Sequence, residues 1–210
     1  MLRHEATQQG CSEEVPHKSN AKARITKDYH NMGYEELFSV NKVLNEYDFP
    51  PLELLHFLLI ELKLGRHYKG QFKITKQGAE LLANPAQLLN NLVPFYILNI
   101  DHSSYSRSGE QPFGKWDVWF NVLNVELENA STEIELFEVF YGPFGNEPMA
   151  WRATSAFYSC VLRPLCWAGV LLEHRDKGSK RSDAVYLKTP LWPAWLQLDT
   201  DKIVKPAQRH

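Results

Sequence analysis

Apolar residues first become periodic at Tyr34. Leu37, Val40, Val43, Leu44 and Tyr47 recur at three- and four-residue spacing, the stripe of an amphipathic helix, and "DFPP" at 48–51 stops it. A second helix begins at the prolines, which suit a first turn. Its "LELLHFLLIELKL" is apolar almost all round, predicting burial on more than one side, and Gly65 is expected to end it. "RHYKGQFKI" then reads as a hairpin, with Lys69-Gly70 at the turn and Phe72 and Ile74 on one face. Thr75 is placed to cap a further helix that leads through Pro85 into "AQLLNNLVPFYILNI".

The same syntax returns later. Trp116, Trp119, Phe120 and Leu123 form one helical stripe, and Ile134, Phe137, Val139 and Phe140 another. An apolar helix then ends near Gly169, with strands over 170–174 and 184–188 and a last helix opened by Thr189. Thr75, Gly78, Leu81 and Leu82 match Thr189, Trp192, Trp195 and Leu196 at one constant offset, which predicts two related modules. The expected organisation is a polar tail over 1–30, module one over 31–100, a linker over 101–114 rich in serine and glycine, module two over 115–200, and a tail over 201–210. The fold class is mainly α with small β-hairpins.

Helices followed by a two-stranded hairpin and then T-x-x-G-x-x-L-L (Thr75, Gly78, Leu81, Leu82) resemble the closing part of winged helix-turn-helix domains, common in bacterial transcription regulators. "GVLLEHRDKGSKRSDAVYLKTPLWPAWL" looks like the same element with a longer wing. The resemblance implies DNA binding, with a reading helix in the major groove and a wing on the phosphates. The helix before the first hairpin departs from that pattern, because Glu53, His56 and Glu61 are its polar residues and a base-reading face needs outward Arg, Lys, Asn, Gln or Ser. The second offers Thr154, Ser155, Ser159 and Arg163 among bulky apolar neighbours.

The wings are better endowed. Lys63, Arg66, Lys69, Lys73 and Lys76 lie together with no acid among them, and Arg175, Lys177, Lys180 and Arg181 crowd the second turn beside Asp176 and Asp183. Such cations bind phosphate without regard to sequence by releasing counterions. They also keep an exposed hairpin soluble and unpaired, the competing explanation. A net charge of −2 confines any polyanion binding to such local patches.

Remaining features narrow the class. Three cysteines at irregular spacing fit neither a disulfide framework nor a zinc site, and the opening residues lack a signal segment, so a cytoplasmic setting is expected. No apolar run reaches the roughly 20 residues of a membrane span. The eight histidines show no metal-ligand spacing, and no nucleophile elbow, P-loop or dinucleotide fingerprint is present, so the sequence reads as non-enzymatic, without metal or cofactor. The acids Glu126, Glu128, Glu133, Glu135 and Glu138 read as a solvated helix face. Double-stranded DNA is the expected partner. The rival is a protein partner or a second copy of the chain, gripped by Trp192 and Trp195 as aromatic anchors.

Overall fold

The computed structural model describes residues 46–106, 109–145, 150–176 and 183–204. The stripe from Tyr34 to Leu44 and the polar segments 1–30 and 205–210 lie outside these residues. The chain divides into two compact units, 1–55 and 56–210. The first contributes a 3-10 turn, Glu46–Asp48, and the opening of helix α1, Pro50–Glu61.

The second unit continues with β1 (Gly65–Tyr68), β2 (Gln71–Ile74), α2 (Lys76–Leu82) and α3 (Pro85–Asn99). A 3-10 turn, His102–Tyr105, leads to α4 (Trp116–Glu126), β3 (Ser131–Thr132), α5 (Glu133–Tyr141) and α6 (Ala150–Phe157). A π-turn over Tyr158–Leu162 joins α6 to α7 (Arg163–Trp167), and β4 (Leu171–His174), β5 (Val185–Lys188) and α8 (Leu191–Trp195) complete the order. This is the expected mainly α architecture with small hairpins. One sheet is the β1-β2 hairpin; in the other, β5 lies between β3 and β4, all antiparallel. None of the described helices is long and apolar enough to cross a membrane.

Local chemistry sets the boundaries. Thr75 Oγ1 accepts the Gly78 N–H at 3.1 Å and starts α2. Thr132 and Glu135 form a capping box at α5, and the Thr132 N–H holds the Glu135 carboxyl below its usual range. The π-turn sits immediately before Pro164, which has no N–H. There Arg163 N–H reaches back five residues to Tyr158 O, and the widened turn relieves the clash a proline makes inside an α-helix.

The core of the second unit is built on Ile97, Leu123, Leu136, Phe157, Val161, Leu162, Leu165 and Tyr186, all closed to solvent. Some expectations fail on this point. Phe137 turns inward as expected, but Ile134 and Val139 are exposed and Leu136 takes their place in the core, because α5 presents a different arc than its spacing suggests. The acids are not one solvated face: Glu133 is 3% exposed, Glu135 caps a helix, and Glu128 faces Lys188 at 3.5 Å.

The segment expected to be a loose linker is folded over 101–106. Asp101 Oδ1 accepts from Ser103 N (3.0 Å), Ser103 Oγ (2.7 Å) and Gln111 Nε2 (3.2 Å), and these donors, Ser103 Oγ first, hold its carboxyl below the usual range. His102 is buried edge-on to Tyr96 and Trp116. Its Nε2–H donates to Ile97 O at 3.2 Å, and burial lowers its pKa, favouring the neutral ring.

Candidate nucleic-acid interface

The junction between helix and hairpin is built twice with the same bonds. At the end of α1, Leu64 N–H donates to Leu59 O (2.8 Å) and Lys63 N–H to Ile60 O (2.9 Å); at the end of α7, Val170 donates to Leu165 (2.9 Å) and Gly169 to Cys166 (3.0 Å). Both are Schellman closures. Their left-handed residues are Lys63 (φ 57°) and Gly169 (φ 73°), so Lys63, rather than Gly65, ends the first helix. A threonine then ties the returning strand to the closure. Thr75 Oγ1 donates to Lys63 O (2.8 Å) and Leu64 O (3.2 Å), as Thr189 Oγ1 does to Gly169 O (2.7 Å) and Val170 O (3.1 Å).

Gly65 has another duty. The Phe72 ring lies over it, and a Cβ there would fall 2.1 Å from Phe72 Cζ. The ring packs edge-on against His56 (4.6 Å) and His67 (5.7 Å), whose Nε2 atoms meet at 3.1 Å in a histidine-histidine hydrogen bond. Helix α1 and β1 are joined by that pair. The inner face of the hairpin is therefore Gly65, His67, Phe72 and Ile74.

Strand alternation sends Arg66, Tyr68, Gln71 and Lys73 to the other face, with Arg66 directly opposite Lys73. The turn has Lys69 (φ 50°) and Gly70 (φ 72°) in succession, the type I′ pattern that twists with the strands. Three cations converge on the Tyr68 ring: Lys73 Nζ at 5.0 Å, Lys69 Nζ at 5.3 Å and Arg66 at 5.7 Å from its centroid. Tyr68 stays 45% exposed. The hairpin carries no acid, so nothing on its strands offsets that charge.

The structure thus gathers Arg66, Lys69 and Lys73. Lys63 and Lys76 flank the root of the hairpin, and Lys76 lies 3.9 Å from Glu80. Of the second set, Arg175 is exposed next to Asp176, which faces His174 at 3.8 Å; Lys177, Lys180 and Arg181 lie outside the described residues. Tyr68 was not singled out by its sequence position, although its two-residue spacing from Arg66 and its place beside the turn mark it as their neighbour. The His56-His67 pair joins residues 11 apart, a spacing with no helical or strand meaning.

The helices before the hairpins offer little for base reading. In the second, Thr154 and Ser159 are buried, Thr154 Oγ1 donating to Ala150 O. Arg163 donates to Tyr105 O (3.0 Å) and Ser159 O (3.3 Å) while covering the Trp167 ring, which fastens the 102–105 turn to the core. Of the two aromatic anchors, one is internal. Trp192 is 2% exposed and donates to Asn124 Oδ1, and Trp195 is half-buried against Phe120 at 5.7 Å. Trp192 is part of the core and presents no docking surface, because α8 lays it across α4.

A cleft of about 230 Å³ lies beside the 102–105 turn, lined in part by Asp101, His102, Ser103, Gln111, Trp116 and Cys160. Its polar groups bond to one another, and burial pushes the Cys160 thiol up to about 11, far from a thiolate nucleophile. Among the described residues, no three His, Cys, Asp or Glu side chains group to hold a metal.

Two family models match the chain in order: the Y4jL N-terminal domain over residues 18–87 and the y4jL C-terminal domain over residues 106–190. The uncharacterized protein y4jL of Sinorhizobium fredii is 28% identical over 120 residues, which cover 57% of this chain and 54% of that relative. The match thus spans about half of the relative's length. No solved structure matches.

Proposed function

From a chain that matches both Y4jL domain models in order, we propose a non-enzymatic, cytoplasmic regulator of winged-helix type that holds nucleic acid through phosphate contacts of its first hairpin. One observation carries this reading: Arg66 and Lys73 on one outward strand face and Lys69 at the adjoining turn converge on the Tyr68 ring, with no acid on either strand. Sequence-blind phosphate binding needs such a local patch when net charge is near zero. The backbone adds support. Lys63 and Lys69 both occupy left-handed positions where glycine or asparagine is less strained, so each lysine sits there at a conformational cost. The third strand, β3, which joins the second hairpin, supports the winged-helix resemblance.

The test is anisotropy of a labelled random-sequence duplex at about 50 and 200 mM salt. Three to five phosphate contacts predict a roughly 40- to 500-fold loss of affinity over that range. The variant Lys69→Glu/Lys73→Glu should bind far more weakly at the lower salt while melting like the parent. Absence of binding at the lower salt, or affinity indifferent to salt, rejects the proposal.

A protein-contact reading keeps one specific feature. Trp151 is 59% exposed on α6, with Arg152 5.4 Å from its ring. An exposed tryptophan paired with arginine is typical of interface anchors, and Trp151→Ala tests it through the oligomeric state in solution.

A further inference from the structure

We infer that the Tyr68 ring is a stacking platform for an unpaired base, so that the first hairpin prefers single-stranded nucleic acid to duplex. This deepens the phosphate-binding reading above and rests on it.

Tyr68 occupies the middle of the basic face and is 45% exposed, whereas the other large aromatic of the hairpin, Phe72, lies on the opposite face, 38% exposed, with its ring packed over Gly65 and the two histidines. The cations surround the ring from three directions in the chain: Arg66 on its own strand, Lys69 in the turn and Lys73 across the ladder. A tyrosine among cations on a strand combines the two elements that single-strand binders use, an aromatic surface for the base and positive charge for the phosphates on either side of it. A paired base keeps both its faces against its neighbours in the duplex and has none to offer the ring. An unpaired base does. The adjoining helix gives no competing route to duplex recognition, since Glu53, His56 and Glu61 are its polar residues and His56 is engaged by His67. The ring needs no hydroxyl for this role, so phenylalanine should serve as well as tyrosine.

The experiment compares three labelled probes of about 20 nucleotides, oligo-dT, oligo-U and a random-sequence duplex, with the full chain and with Tyr68→Ala and Tyr68→Phe, each checked for an unchanged thermal melt. The expected result is tighter binding of the unpaired probes, a loss of roughly 5- to 150-fold in Tyr68→Ala on those probes, and near-parental binding by Tyr68→Phe. The duplex should be indifferent to both substitutions. Equal affinity for unpaired and paired probes, with Tyr68→Ala unchanged, overturns the inference and leaves a hairpin that touches phosphates alone. Failure of the parent chain to bind any probe removes the phosphate reading itself and the stacking role with it.

Discussion

Trp192 donates its indole Nε1–H to Asn124 Oδ1 at 2.9 Å, across 68 residues of chain. Asn124 is 2% exposed, and its amide also donates to Thr200 Oγ1 (3.0 Å) and Asp201 Oδ1 (2.9 Å), while its carbonyl oxygens receive Lys188 Nζ. One side chain thus fastens α4 to β5, α8 and the turn at Asp199–Lys202. Asn124→Ala leaves the buried indole N–H without an acceptor. We expect a loss of about 2–4 kcal/mol, measured by urea unfolding.

Gly78 sits on α2 where a Cβ would fall 2.2 Å from Leu64 O and 2.8 Å from Ile74 Cγ2. The obstacle is a backbone carbonyl that already accepts from Thr75, so it cannot step aside freely. Gly78→Ala should cost about 2–3 kcal/mol and loosen the first hairpin, which hydrogen exchange of β1 and β2 amides would report.

Lys63 and Gly169 hold the same left-handed position in their two closures. Lys63→Gly should therefore raise stability by about 1 kcal/mol. On the proposed function the same variant should bind nucleic acid less well. A rise in melting temperature with a fall in affinity is the expected joint outcome; a fall in both would show that the lysine side chain supports the fold.

His102 gives a pH dependence of definite sign. Its pKa is lowered in the fold by burial, so the unfolded chain takes up a proton that the folded chain refuses. The stabilising effect is full above the unfolded value, about 6.5, and is lost as pH falls toward the lower folded value. Between pH ~7.5 and ~5.5 the melting temperature should fall more steeply in the parent than in His102→Phe, which keeps a ring between Tyr96 and Trp116 but carries no titrating nitrogen.

The helices and hairpins of the described chain were legible because period and punctuation are local: the prolines at 50–51, Lys69-Gly70 and the two threonines each act on their own few residues. Which side of an element turns inward was less legible. Glu133 among acids, Trp192 near the end of the chain and His102 in a serine-rich stretch all read as surface groups, yet each is buried by the packing of neighbouring elements. The basic candidates were visible as residue types. Their grouping around Tyr68, with Lys63 and Lys76 flanking the root of the hairpin, depended on strand alternation and on a turn whose lysine adopts a glycine-like conformation.

The threonine ties have a consequence for how the two hairpins can change. Thr75 returns to Leu64 across 11 residues and Thr189 to Val170 across 19, with the same two acceptors at each root. Closing the longer excursion costs only about 0.5 kcal/mol more by chain statistics. The same tie therefore closes excursions of different length at nearly equal cost.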